Sequence, residues 1–279
     1  MIPKIIHFCW LSGDPFPADI VRCLETWNEK LKDYTIWLWG KTPSDLSAIR
    51  DLRLEVREFD LNSTVWTRQA FEAKKYAFAA DYIRLYALYT YGGIYLDADV
   101  LVYKSFDELL NLPYFIGCDQ IRAFEAAVIG AEKGCKWIMD VFETYKDKEF
   151  IKPDGTYDMM ELPVRFHHVL VEKGYKFYKL YSVVNVNDHK LNVNDHKLLV
   201  FDKFFFNSRD AVEVHPSKKS FCAHNYAGSW QKKSRGRDER LGERVKRMMP
   251  KCMLKCIYTI GQKTWARNKY SWFQIPFER

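Results

Sequence analysis

The chain contains no CxxC pair, no GxGxxG and no P-loop. With neither glycine-rich motif present, dinucleotide and ATP binding by those two routes are not indicated. The seven cysteines (Cys9, Cys23, Cys118, Cys135, Cys222, Cys252 and Cys256) are odd in number and scattered, and neither Cys252 nor Cys256 has a His or Cys partner at zinc-site spacing. They read as reduced thiols of a cytosolic protein rather than a disulfide framework. No segment approaches the roughly 18–20 consecutive apolar residues that a membrane span requires. The N-terminus is not signal-like either, so a cytoplasmic location is expected. What is present is substantial: 279 residues, 48% hydrophobic and 16% aromatic. That is enough to bury one large domain with an appendage.

Along the first third, apolar runs alternate with helical periods. Ile2 to Trp10 reads as a buried parallel strand, Leu11 to Pro17 as a turn, and Ala18 to Leu31 as a helix through Ile20, Cys23, Leu24, Trp27 and Leu31. A strand over Tyr34 to Trp39, a short helix over Ser44 to Asp51 and a strand over Leu54 to Asp60 follow. This β-α-β-α-β start predicts a Rossmann-like sheet with ligands at the carboxyl ends of its strands. Tyr114 to Cys118 and Ala126 to Gly130 read as further strands, Lys136 to Tyr145 and Leu162 to Lys173 as helices.

The run YGGIYLDADVLVY, Tyr91 to Tyr103, carries the chemistry. Ile94 to Leu96 form a short apolar strand, followed by Asp97 and Asp99 and a second apolar run. Residues i and i+2 of an extended chain face the same side, which aims the two carboxylates at one point. Like charges so placed repel unless a proton or cation sits between them. Oxygen ligands suit Mg²⁺ or Mn²⁺, ions that also hold phosphates. A bare DxD is more often a solvated acidic turn. Here Gly92 and Gly93 permit a tight turn just before the strand, and a helical period over Gln69 to Tyr91 leads into it. Asp81 and Arg84, three residues apart on that helix, form a surface ion pair on the bland reading. Joined to the DxD through the two glycines, they are expected at the same site.

The block FxxDYIRLYALYTYGGIYLDADV resembles the DxD block of family 32 glycosyltransferases. The opening IPKIIHFCWLSG is similar to the first strand of that family and of clostridial glucosylating toxins, and HNYAGSW, His224 to Trp230, resembles its C-terminal block. The resemblance implies an α/β, GT-A type fold: a mixed, mostly parallel sheet flanked by helices, spanning 1–230. It implies a retaining, metal-dependent hexosyl transfer from a nucleotide sugar to a glycan acceptor, with UDP-galactose ahead of other UDP-sugars and GDP-mannose. Asp97, Asp99 and His224 would hold Mn²⁺ or Mg²⁺. Cys9 and Trp10 would flank the base, Asp81 and Arg84 would hold sugar and ribose, Ser229 and Trp230 would close over the diphosphate, and Phe8, Tyr95 and Ala98 would also line the donor site. Asp119 would face the sugar or acceptor. The family's threonine-glycine-proline region is altered here to MELPV, Met160 to Val164, which leaves Glu161 without a carried-over role. No carboxylate stands out as a covalent nucleophile, which favours front-face displacement. The rival is a protein that binds a nucleotide sugar without transferring it; a phosphohydrolase would need more clustered Asp and His.

Two segments stand apart. NVNDHKLNVNDHKL, Asn185 to Leu198, repeats seven residues and reads as a surface loop or hairpin, being too short and Asn-rich for a coiled coil. From 231 to 279 the chain carries fourteen Lys and Arg against four Asp and Glu, interleaved with apolar residues and with Trp265, Trp272 and Phe273. A basic helical tail of this kind suits an anionic membrane surface, and an acceptor linked to polyprenyl diphosphate on the inner face of the cell membrane. A helix packed on the domain fits the same pattern. No nucleic-acid module accompanies the charge, so no nucleic-acid partner is expected.

Overall fold

A computed structural model describes residues 1–43, 47, 50–51, 53–183, 196–207, 216–225 and 273–278. In chain order the elements begin β1 (Ile5–Trp10), α1 (Ala18–Lys30), β2 (Thr35–Gly40), β3 (Arg53–Arg57), α2 (Val65–Glu72), α3 (Tyr76–Tyr91), β4 (Gly93–Leu96) and β5 (Val100–Val102). They continue β6 (Tyr114–Cys118), β7 (Phe124–Ala131), α4 (Lys136–Phe142), α5 (Leu162–Glu172), β8 (Lys176–Leu180), β9 (Lys197–Phe201), α6 (Lys203–Phe206) and β10 (Cys222–His224).

One sheet runs β3-β2-β1-β4-β7-β6-β9-β8, and β10 pairs separately with β5. All neighbours in the large sheet are parallel except β7, which is antiparallel to β4 and to β6. The mixed, mostly parallel sheet flanked by helices is therefore as expected. Side chains alternate across β4: Ile94 and Leu96 enter the core shared with α1, and Tyr95 the core shared with α2, α3, α4 and α5. Because β7 runs against β4, the start of β7 lies beside the carboxyl end of β4. The two ends meet where the Asp97 N–H donates to the Ala127 carbonyl at 2.9 Å.

Several elements differ from expectation. The predicted helix over Gln69 to Tyr91 is broken in two. Lys74 adopts a left-handed φ of 56°, and the Lys75 N–H returns to the Ala70 carbonyl at 2.8 Å, closing α2. Trp66 bridges the break by donating from Nε1 to the Phe78 carbonyl at 2.8 Å. The third strand stops at Arg57 rather than Asp60, and the helix after Lys136 tightens to a 3₁₀ turn over Glu143–Tyr145. Most of the helix predicted over Ser44 to Asp51 lies outside the described residues, as does most of the duplication. The end of the second copy is not a surface loop: Lys197 and Leu198 open β9, and Leu198 is fully buried.

Most of the tail also lies outside the described residues. Its last part corrects one expectation. Phe273 is not a free interfacial anchor; it is buried beside Ala123 and Val164. Ile275 donates its N–H to the Arg122 carbonyl, and Glu278 to that of Phe177. The chain's end thus returns to pack on the domain. Among the described residues no helix is long and apolar enough to cross a membrane.

Candidate active site

The DxD is a turn, not a continuation of the extended strand. The Val100 N–H donates to the Asp97 carbonyl at 3.0 Å, closing Asp97 to Val100. The carboxylates converge through this turn and through what clamps it. On one side α1 holds β5: the Trp27 indole N–H donates to the Val100 carbonyl at 2.8 Å, and Thr26 Oγ1 accepts from the Val102 N–H at 2.9 Å. On the other side β10 pairs with β5, His224 opposite Val100. The Asn225 N–H then donates to the Asp99 carbonyl at 2.9 Å. A residue distant in sequence is thereby fixed to the DxD by main-chain bonds.

Ligand-capable atoms of Asp97, Asp99 and His224 all lie within 4.8 Å of one another. Two carboxylates and an imidazole form a donor set suited to a divalent ion such as Mn²⁺. His224 Nε2 is 3.4 Å from Asp99 Oδ1, and its Nδ1 is 3.1 Å from Glu125 Oε1. Burial lowers the affinity of this imidazole for a proton, but Glu125 and Asp99 outweigh it and hold its pKa well above the usual value. Burial raises the Asp97 carboxyl above its ordinary range; Arg84 opposes the rise and Asp99 adds to it.

Arg84 is the hub beneath the turn. From the middle of α3 its Nη2 reaches Asp97 Oδ1 at 3.0 Å and Asp81 Oδ1 at 3.3 Å, and Nη1 donates to the Ala126 carbonyl. Its guanidinium sits 4.3 Å from the centre of the Tyr95 ring. Asp81 and Arg84 are both buried, so the reading of an exposed surface pair is excluded. Burial pushes Asp81 up to about 7 against the pull of Arg84.

The remaining expected site residues separate into two groups. Cys9 lies half-buried at the end of β1, its thiol pushed up to about 12 by burial, with Arg84, Tyr95 and Asp97 as electrostatic neighbours. Ala98 is the DxD's central residue, and Tyr95 is buried under Arg84. Asp119 is partly occupied as a turn acid, Oδ1 accepting from the N–H groups of Ile121 at 2.9 Å and Ala123 at 2.8 Å. Burial and the nearby Glu125 push it up to about 7. Phe8 does not present its side chain to a ligand: it is fully buried, edge-on to Trp27. Trp10 is half-buried, packs on Phe16 and donates from Nε1 to the Asp14 carbonyl at 2.7 Å. Ser229 and Trp230 lie outside the described residues. Glu125 went unrecognised in the sequence, although a signal was there: an acid opening the otherwise apolar run FEAAVIGA must find a partner when buried.

Turn, clamp and convergent donors define a carboxylate–imidazole site at the end of a central strand, the place where α/β sheets hold ligands. Residues 17–116 match the family described as glycosyltransferase sugar-binding region containing DXD motif. Over that segment the match bears out the family resemblance read from the sequence. The chain is 30% identical over 141 residues to inositol phosphoceramide mannosyltransferase 3 of Schizosaccharomyces pombe, covering 50% of this chain and 36% of the relative. It is 32% identical over 147 residues to mannosyl phosphorylinositol ceramide synthase CSH1 of Saccharomyces cerevisiae, covering 52% and 36%. These matches span about a third of each curated relative's length. Among solved structures, the PaToxG glycosyltransferase superposes with a TM-score of 0.47 at 22% identity, over 62% of this chain and 69% of that one.

Proposed function

We propose that this chain transfers a hexosyl group, with retention, from a nucleotide sugar to a glycan or glycolipid acceptor. The observation that carries the reading is the convergence of Asp97, Asp99 and His224 at the DxD turn, within 4.8 Å. Asp97, Asp99 and His224 would hold a divalent cation, which would supply charge neutralisation for the departing diphosphate. Arg84 fixes the Asp97 carboxylate and β10 fixes the His224 main chain, which limits reorganisation when donor binds. Asp81 and Arg84 offer a buried charged pair for sugar and ribose hydroxyls, and Cys9 with Trp10 borders the base. Transfer by front-face displacement fits this residue set: the acceptor oxygen bonds to the anomeric carbon as the carbon–phosphate oxygen bond breaks, and the departing phosphate oxygen takes the hydroxyl proton.

The two yeast relatives described above are named for mannosyl chemistry on a ceramide lipid. Their names move GDP-mannose ahead of UDP-galactose as the donor to test first, and they favour a lipid-linked acceptor. The test is release of nucleoside diphosphate from GDP-mannose, UDP-galactose, UDP-glucose and UDP-N-acetylhexosamines, with and without Mn²⁺. Turnover of one donor that stops on chelation and in the Asp99→Asn variant is the expected result. Metal-dependent binding of a donor with no turnover, even with a lipid-linked acceptor supplied, would establish a binding protein instead.

A further inference from the structure

Behind His224 lies a second layer of polar groups that the DxD itself does not account for. Glu125, at the start of β7, is 4% exposed and Asn207, which follows α6, is fully buried. Both Glu125 oxygens are engaged. Oε1 accepts from the Ala127 N–H at 3.1 Å and lies 3.1 Å from His224 Nδ1. Oε2 accepts from the Asn207 side-chain amide at 2.5 Å. Asn207 is itself held, its N–H donating to the Lys203 carbonyl at 2.9 Å and its carbonyl accepting from Gln120 Nε2 at 3.1 Å.

We infer that Glu125, held in place by Asn207, is the positioning residue for His224, fixing the ring's tautomer and rotation so that Nε2 presents its lone pair to a cation at Asp99. The inference rests on the metal-binding reading proposed above. Pairing of β10 with β5 fixes the His224 main chain, which leaves the ring two side-chain torsions to settle. An acceptor at Nδ1 removes that freedom: Nδ1 keeps its proton, and Nε2, facing Asp99 at 3.4 Å, is the nitrogen that gives up its proton to a cation. A carboxylate is required in this position, because its two oxygens meet three donors: the Ala127 N–H, the His224 Nδ1–H and the Asn207 amide. A glutamine would set its own NH₂ against one of them.

Mn²⁺ binding to the full chain, read by electron paramagnetic resonance of the free ion with and without GDP, tests this directly. His224→Ala defines the effect of losing the ligand. Glu125→Gln is expected to weaken Mn²⁺ binding by about 10–100-fold, the usual effect of removing a partner behind a metal-bound histidine. Combining Glu125→Gln with Asn207→Asp swaps the two groups, so that the introduced glutamine amide donates to the introduced carboxylate. The double variant leaves the glutamine oxygen facing His224 Nδ1, so it is expected to recover the Mn²⁺ affinity together with the melting temperature; recovery of the melting temperature alone would assign the pair to support of the fold and overturn the inference. Should Glu125→Gln not fold, Asn207→Ala gives the same reading at smaller amplitude. Wild-type Mn²⁺ affinity in folded Glu125→Gln or Asn207→Ala alone, with His224→Ala weakened, would overturn the inference and leave the metal site standing. Failure of the wild-type chain to bind Mn²⁺ in the presence of GDP or the other donor nucleotides would overturn the metal-binding reading itself.

Discussion

Asp97 and Asp99 are separated by one alanine yet serve different partners, Arg84 for the first and His224 for the second. Their positions were legible in the sequence. Their division of labour was not, because it depends on residues delivered by α3 and β10. The same holds for His7, which reads as one more residue of an apolar strand. It is fully buried, donating from Nε2 to the Gly92 carbonyl at 2.7 Å while Nδ1 accepts from the Trp39 indole at 3.2 Å. Burial lowers its pKa to about 4. An unfolded chain binds that proton near pH 6.5 and the folded chain only near 4, so between those values acid favours unfolding. The effect at this one residue amounts to about 3 kcal/mol by the acid end of the window. Nitrogen-15 NMR of the imidazole should show a neutral ring with the proton on Nε2 at about pH 5, between the two values. A ring that titrates in the ordinary histidine range in the folded protein would show that the burial is wrong.

At the scale of elements, β1, α1, β2, β6 and α5 follow from hydrophobic period alone, each to within a few residues at either end. The break between α2 and α3 does not, since the apolar period runs through it and Lys74 carries no turn signature. Lys74 is exposed with φ at 56°, a conformation that costs most residues about 1–2 kcal/mol and glycine far less. Lys74→Gly should therefore raise stability by roughly 0.5–1 kcal/mol, after allowing for the greater entropy of the unfolded glycine chain. Denaturant unfolding reports it, and a loss of stability would mean that the two helices are continuous in solution. Strand β10 escaped detection for another reason: its short run CAH has no period to read, and pairing with β5 creates it. Glu125 and Asn207 are the matching case in the site. Each is explicable only once the strands bring it to His224.

Across the described residues, the fold is an eight-stranded mixed sheet with the DxD and the β5–β10 pair near its centre, and the chain's last described residues close back on it at β8. That return changes how the basic segment has to be tested, because removing Phe273 and Ile275 would open the core. Charge reversal at Lys232, Lys233, Arg235 and Arg237 avoids the problem. If the segment docks on anionic lipid, at about 1 kcal/mol per engaged cation, the wild-type chain should bind phosphatidylglycerol vesicles at low salt. Release at high salt and weak binding by the variant are the matching expectations. Binding that ignores both changes would assign the charge to packing on the protein. The central claim, that Asp97, Asp99 and His224 hold a cation for a nucleotide-sugar diphosphate, is tested most directly by anomalous scattering from crystals grown with Mn²⁺ and GDP. The account predicts a manganese peak within the Asp97, Asp99 and His224 donor set, with the GDP phosphates completing its coordination. A bound nucleotide with manganese elsewhere, or with none at this site at saturating concentration, would contradict it.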